Sequence, residues 1–402
     1  MTGLPELAFL RAAAGAELLR EAADTPGSLP QRVARLRKRY SQELVSAALE
    51  QLSLRQRAAP KFPRASEMFF TPAGVEQASA EVVAAWRAAR FPEGATVLDL
   101  CCGNGGDGLA SAERGPVMAF DIDPATAWCA QTNARAIPHP DRMQVATADV
   151  TRLRLHGDAA FFDPSRRREG RRTRGGEGYL PPLDFTDEIR AAIPNVCVKV
   201  SPAIDDAELE ALGARVEFVS LRGECKEAAL WFGDIGPRSA RSAAVLPVGA
   251  TLQADLSAPP PAVSEPREWL YEPDPAVIRA HLIAEIAERL GASQLDPQIA
   301  YLTSDSPAES PFATAYRILE WMPFSLKRLD RRLREMGRRV YAVKRRGVPL
   351  EPEEIARTLR GAGDRDAVVV LTRVNDKPAA ILCERADRQP AQTTESQKEH
   401  RS

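Results

Sequence analysis

The sequence predicts an α/β fold: a doubly wound, seven-stranded sheet preceded by a helical layer and followed by a small α+β unit. Three observations predict it. Apolar runs at 96–102, 116–122, 143–149, 159–163, 196–201, 215–221 and 227–233 alternate with helical periodicity near 107–113, 124–136, 185–193 and 205–211. The first run passes into the glycine-rich loop CCGNGGDG, from Cys101 to Gly108, which turns the backbone from strand to helix. The last two runs are joined by a short turn without a helix, which closes such a sheet with an antiparallel edge strand.

In chain order, residues 1–63 form a helical region, with Leu7, Leu10, Ala14 and Leu18 at helical spacing and a basic run from Arg32 to Tyr40. Residues 64–235 hold the sheet. From 236 to 320 a connecting region is expected: 236–270 loses the alternation and carries Pro259, Pro260 and Pro261, and a helix spans 275–290. Residues 321–387 make the final unit, with a helix 325–336, a strand 338–345, a helix 352–360 opened by Pro352, and a hairpin 367–374/378–384 turning at Asn375, Asp376 and Lys377. The polar tail 388–402 has the composition of a disordered segment.

Composition narrows the function. A net charge of −1 gives no global steering toward nucleic acid, so any such contact must be local. No apolar run approaches the roughly 20 residues of a membrane span, and the start MTGLPE lacks a basic leader, so a cytoplasmic address and no membrane are expected. Six cysteines without CxxC spacing, two of them adjacent, give no disulfide framework and no metal site. Four scattered histidines give no support to a nucleophile–His triad.

The spacing Gly103-x-Gly105-x-x-Gly108, with Asp121 eighteen residues beyond Gly103, satisfies a Rossmann-like dinucleotide fingerprint, so the loop alone admits NAD or S-adenosylmethionine. Asp99, within the strand before the loop, favours the second: a carboxylate there can face the ammonium of a bound amino acid and would repel a pyrophosphate. Asp163 and Pro164 end the apolar strand 159–163, where ligands of doubly wound sheets bind.

Together the segment MFFTPAGVEQA (Met68 to Ala78), the glycine loop, the FDIDP turn (Phe120 to Pro124), the DPSRR motif (Asp163 to Arg167) and the basic tail resemble the class I S-adenosylmethionine-dependent methyltransferases. More narrowly, residues 60 to 386 resemble a bacterial group with a THUMP-like C-terminal domain, and the core is similar to trimethylguanosine synthase. The resemblance implies S-adenosylmethionine as cofactor. Asp99 and the backbone at Gly103 and Gly105 would hold its methionine part, Asp121 its ribose hydroxyls and Asp149 its adenine amino group, with Cys101, Ile122 and Val150 also lining it. Asp163 and the Pro164 carbonyl would grip an acceptor amine, the catalytic role. The aromatic residue that usually follows in related motifs is replaced here by Ser165 and Arg166.

Ser165, Arg166, Arg167 and Tyr179 are the candidate substrate contacts, Tyr179 as a stacking residue or a packing one. Arg166, Arg167, Arg168, Arg171, Arg172 and Arg174 make a glycine-punctuated basic loop suited to phosphate, or else a loop closed by ion pairs. Lys199 and Ser201 border the same crevice; Glu224, Lys226 and Glu227 are expected in the turn between the last two strands, serving the acceptor or pairing with one another. Asp123, before Pro124, reads as a helix cap. Ten basic residues between Lys327 and Arg346 are the second candidate RNA surface. The expected function is methylation of a base nitrogen in a structured RNA, tRNA or rRNA, without a metal. The rivals are an RNA-binding protein with an inactive methyltransferase fold, a small-molecule methyltransferase and an NAD-dependent oxidoreductase.

Overall fold

The computed structural model describes residues 2–166, 178–255, 257–349, 355, 359 and 361–385. The chain divides into two compact units, one ending at Ala254 and one beginning at Asp255.

The first unit opens with α1 (Leu4–Arg11), α2 (Ala13–Asp24), α3 (Leu29–Leu36) and α4 (Gln42–Ala58). Ala12 is extended and separates α1 from α2, so Leu7, Leu10, Ala14 and Leu18 do not share one helix; α2 instead buries Gly15, Leu18, Leu19 and Ala22. Gly15 lets the two helices approach: a Cβ there would stand 2.0 Å from the Phe9 carbonyl oxygen. Their core includes Phe69 and Cys129, which ties the helical layer to the sheet's own helices.

Two short helices, α5 (Pro72–Gln77) and α6 (Glu81–Ala88), precede the alternation β1 (Val97–Leu100), α7 (Gly106–Ala112), β2 (Val117–Asp121), α8 (Pro124–Ala134), β3 (Met143–Thr147) and β4 (Ala159–Phe162). A small hairpin of β5 (Ser165–Arg166) and β6 (Tyr179–Leu180) follows. After it come α9 (Phe185–Ala192), β7 (Val196–Val200), α10 (Asp206–Leu212), β8 (Arg215–Leu221) and β9 (Glu224–Phe232). The seven expected strands are thus present, in the order β3-β2-β1-β4-β7-β9-β8. β1 and β4 are fully buried and, apart from Asp99 in β1, apolar, as parallel strands covered on both faces must be.

Two expectations change here. The antiparallel strand β9 is not at the edge; it pairs with both β7 and β8. The two-residue turn Arg222 (φ 54°) and Gly223 (φ 81°) folds it back onto β8, and its buried run from Glu227 to Phe232 needs a neighbour on each side. Nor is 236–270 irregular throughout, because β10 (Arg241–Leu246) adds parallel to β8 and β11 (Ala250–Gln253) adds antiparallel to β10. Among the described residues the sheet therefore has nine strands.

The second unit comprises β12 (Trp269–Pro273), α11 (Pro275–Arg279), α12 (Ile283–Leu290), β13 (Ser293–Asp296), β14 (Ile299–Ser304), β15 (Ala313–Pro323), α13 (Leu326–Glu335), β16 (Arg338–Arg345), β17 (Arg365–Val374) and β18 (Lys377–Arg385). The strands form one sheet, β13-β14-β12-β15-β18-β17-β16. The helix expected over 275–290 is broken at His281, whose φ of 60° ends α11 before Leu282 starts α12. Much of the expected connecting region is strand, and the final unit's first strand, β15, begins before Trp321. Most of the expected helix 352–360 lies outside the described residues, as does the tail 388–402. Ile355 and Leu359 are buried against Leu329 and Leu333, and the Leu359 N–H donates to the Ile355 carbonyl at 2.8 Å. Asn375 and Asp376, both at positive φ, make the tight turn between β17 and β18.

Candidate functional site

The chain runs from β1 outward to β2 and β3, then returns to β4 on β1's other side. This switch in strand order opens a crevice at the strands' carboxyl ends. Every site residue named from the sequence in β1–β4 lies at or beside that end.

The glycine loop leaves β1 through Cys101, whose φ of 68° is uncommon for a residue with a Cβ, then Gly103 (φ 56°) and Gly105 (φ 85°), which begins α7. A Cβ on Gly103 would meet nothing within 4 Å, so the loop faces open space there. Gly108 is needed for close approach, since its Cβ would fall 2.8 Å from Asp99 Oδ2.

Asp99 is only 1% exposed, and among the described residues neither carboxyl oxygen makes a well-formed hydrogen bond, the Gly108 N–H being the nearby donor. Burial pushes its pKa well above the carboxylate range, with Asp107 and Asp163 pushing the same way and Arg87 opposing. Asp121, at the tip of β2, accepts from the Gly103 N–H through Oδ2 and from the Asp123 N–H through Oδ1, each at 3.0 Å. These two anchors fix the orientation of the Asp121 carboxylate beside the glycine loop. Ile122 next to it is 65% exposed, an apolar surface at the rim of the crevice. Asp149 Oδ1 accepts from the Thr151 N–H and hydroxyl, and Val150 is buried. Asp123 caps α8, as expected, accepting from the Thr126 N–H at 3.0 Å. The Cys101 thiol is pushed up by burial first and then by Asp121, Asp163, Asp99 and Asp149, so the carboxylates named from separate strands do converge on the loop.

Asp163 follows β4, and its N–H donates to the Leu100 carbonyl at 3.1 Å, placing it beside the end of β1. Lys199 on β7 donates to Asp163 Oδ2 at 2.7 Å and to the Gln77 carbonyl at 3.2 Å. Burial lowers the affinity of Lys199 for its proton, but Asp163, Asp107 and Glu227 more than offset this and hold the ammonium charged. Pro164 is buried; Ser165 donates to the Leu180 carbonyl at 3.3 Å. The backbone of Arg166 pairs with Tyr179 in the β5–β6 hairpin. Tyr179 is 4% exposed and its hydroxyl accepts from the Ser201 N–H at 2.9 Å, so it takes the packing role rather than the stacking one. Arg167, Arg168, Arg171, Arg172 and Arg174 lie outside the described residues.

Several contributors were not legible in the sequence. Arg87 of α6 is 2% exposed, bonds Asp107 and Glu227, and donates to the Ser79 hydroxyl at 2.9 Å. Its guanidinium lies 4.6 Å from the centre of the Phe161 ring. Glu227, like Glu224 and Lys226, lies in strand β9 and not in the turn, and Lys226 and Glu224 pair with each other at 2.5 Å. The segment from Met68 is clamped by two side-chain amides. Gln51 bonds both backbone groups of Phe70, at 2.7 and 3.1 Å, and Asn133 bonds both of Phe69, at 2.8 and 2.9 Å. Asn104 of the glycine loop accepts from the Thr71 N–H at 3.3 Å, seating α5 against the loop.

The basic tail differs from the expectation of a free RNA surface. Leu329 and Leu333 face the core, and among the described residues at least seven of the ten basic groups, Arg331, Arg332, Arg334, Arg338, Arg339, Lys344 and Arg346, are in ion pairs with carboxylates. No helix of the described residues is long and apolar enough to cross a membrane.

The residues present fit the expected cofactor on the structure's own terms. A buried carboxyl group with no ion pair and no well-formed hydrogen bond suits a cation, carboxylates outnumber bases around the loop, and an exposed isoleucine offers a ring an apolar face. Comparison with known proteins agrees. Residues 94–190 match the RNA cap guanine-N2 methyltransferase family, residues 313–385 the THUMP domain-like family and residues 3–58 a domain of unknown function. A solved protein of Porphyromonas gingivalis, assigned as a methyltransferase, shares the fold at a TM-score of 0.75 and 23% identity, covering 92% of this chain and 98% of that one. In two strains of Mycobacterium tuberculosis, an uncharacterised S-adenosylmethionine-dependent methyltransferase is 33% identical over 338 residues, 81% of this chain and 92% of the relative. The chain belongs to the S-adenosylmethionine-dependent methyltransferases.

Proposed function

We propose that this methyltransferase modifies a base nitrogen of a structured RNA, such as tRNA or rRNA, with a catalytic unit that extends through β11. When bound, S-adenosylmethionine supplies an electrophilic methyl group on a sulfonium. Asp99 holds the methionine ammonium, the backbone at Cys101, Gly103 and Gly105 gives the methionine part room, and Asp121 binds the ribose. Ile122 covers the adenine, with Asp149 and Val150 at its edge.

The observation that carries the acceptor assignment is the Asp163–Lys199 pair beside the glycine loop. Lys199 occupies Oδ2 of Asp163. Asp163 Oδ1 and the Pro164 carbonyl are left as acceptors that can hold an amine by its N–H groups, with its lone pair aimed at the methyl group. An ammonium beside that carboxylate supplies a donor too, and donor and acceptor side by side suit the edge of a purine such as guanine. The matched family and the THUMP domain-like segment support an RNA acceptor.

The ion-paired tail supports a second reading, a small-molecule acceptor. Nucleoside mass spectrometry of total RNA from a strain lacking the protein decides between them. Loss of one methylated nucleoside, restored by the wild type and not by Asp163→Ala, is expected; an unchanged nucleoside profile overturns the RNA assignment.

A further inference from the structure

At one end of the C-terminal sheet, five neighbouring strands bring together a set of side chains that the methyltransferase site does not use. Register places Trp269 of β12 opposite Arg317 of β15, Arg317 opposite Glu384 of β18, and Arg338 of β16 opposite Arg365 of β17. With Asp366 and Arg385 these residues line a cavity of about 560 Å³. That is within the roughly 300–1,000 Å³ of small-molecule pockets.

The charges in this cavity are unequal. Glu384 bonds Arg338 at 2.7 Å and lies 3.6 Å from Arg317, while Asp366 bonds Arg339 at 2.6 Å. Arg338 is mostly buried and also donates to the Asp366 carbonyl at 2.9 Å, so it is a fixed part of the wall. Arg365 and Arg385 are exposed and join no ion pair among the described residues. Two uncompensated guanidinium groups therefore share a cavity with a half-buried indole.

We propose that this cavity binds a nucleotide unit, with its phosphate on Arg365 and Arg385 and its base against Trp269. A guanidinium fork matches phosphate oxygens in pairs, and an aromatic face stacks on any base. The ligand comes either from an unpaired stretch of RNA or from a free nucleotide. Only the RNA source rests on the function proposed above.

Fluorescence anisotropy of the full chain with a short, labelled single-stranded RNA of mixed sequence tests this. Arg365→Glu with Arg385→Glu is expected to weaken binding and to flatten its dependence on salt by about 0.7, the contribution of one lost phosphate contact on a single strand. Trp269→Ala is expected to weaken binding by at least about fivefold with the salt slope kept. Melting temperature and S-adenosylhomocysteine affinity report that each variant is folded. Displacement of the RNA by a mononucleotide at comparable concentration assigns the site to free nucleotides; preference for the strand assigns it to RNA. If both variants bind like the wild type, or neither RNA nor mononucleotide binds at all, the cluster is a structural ion-pair group and the inference falls. Because methylation is read separately in the deletion strain, that failure leaves the proposed function standing.

Discussion

Arg87 and Arg331 each sit on a helix and each meet a carboxylate, yet their surroundings give the two contacts different meanings. Arg87 is enclosed at the base of the glycine loop, held by Asp107 from α7, Glu227 from β9 and the face of Phe161. Arg331 lies on the open face of α13, 3.8 Å from Glu335, with most of its side chain in water. A buried charge that loses its partner keeps the full penalty of its desolvation, whereas an exposed one is rehydrated. Ion pairs in the first region therefore fix the geometry of a site, and those in the second leave a helix surface nearly as it would be without them.

The largest effect is expected from Arg87→Met. It strands Asp107 and Glu227 without their cation and should lower stability by about 3–5 kcal/mol, measured as a fall in the urea midpoint at constant slope. A loss below about 1 kcal/mol, the scale of an exposed pair, would erase the contrast.

Next comes chemistry. Asp163→Ala should reduce methyl transfer by about a hundredfold or more, the scale of a reacting group left misplaced by about 1 Å. Affinity for S-adenosylhomocysteine should stay unchanged by calorimetry. Asp163→Asn sharpens the point, because it keeps an acceptor oxygen while removing the charge that faces Lys199; intermediate turnover is expected. Full activity in both variants would return the motif to a structural turn.

A subtler effect follows from Asp99. In the free protein its carboxyl holds a proton to higher pH than in an unfolded chain. Its contribution to stability is therefore fully present below the ordinary value of about 3.9 and is lost as pH rises through the raised value. A bound ammonium favours the carboxylate, so cofactor binding should release a proton and tighten with rising pH across that window. Calorimetry in buffers of different ionisation enthalpy should show the release in the wild type and lose it in Asp99→Asn. Equal proton release in both would remove Asp99 from the ammonium site. The smallest change is expected from Arg331→Ala, below about 0.5 kcal/mol in the same urea titration.

The legible parts of the molecule were those in which local sequence and burial agree. β4 is a continuous apolar run, and β1 is one but for Asp99, because both of their faces are covered, and the positive-φ glycines of the loop are the residues that make such a turn with least strain. β15 was not read as a strand because its faces mix polar and apolar residues, from Thr314 through Arg317 to Glu320, with no clean alternation. The β9 position could not be seen, since a sequence shows that a hairpin forms but not which second neighbour it takes. In the site, Asp99, Asp121 and Asp163 stood out because each ends or lies in a strand beside a turn. Arg87 did not: it is one basic residue in an apolar helix, and its partner Glu227 is 140 positions away.

The amide clamps on Phe69 and Phe70 make the front of the chain harder to detach than an accessory layer would be. Gln51 belongs to α4 and Asn133 to α8, so the peptide that seats α5 on the glycine loop is gripped from both sides. A chain begun at residue 64 would keep every strand of the sheet, yet lose one jaw of this grip and the Leu18, Leu36 and Val45 floor under Phe69. Domain shuffling, fusion or trimming at the amino terminus is therefore expected to be felt at the glycine loop itself, because the first helices hold the segment that seats on it.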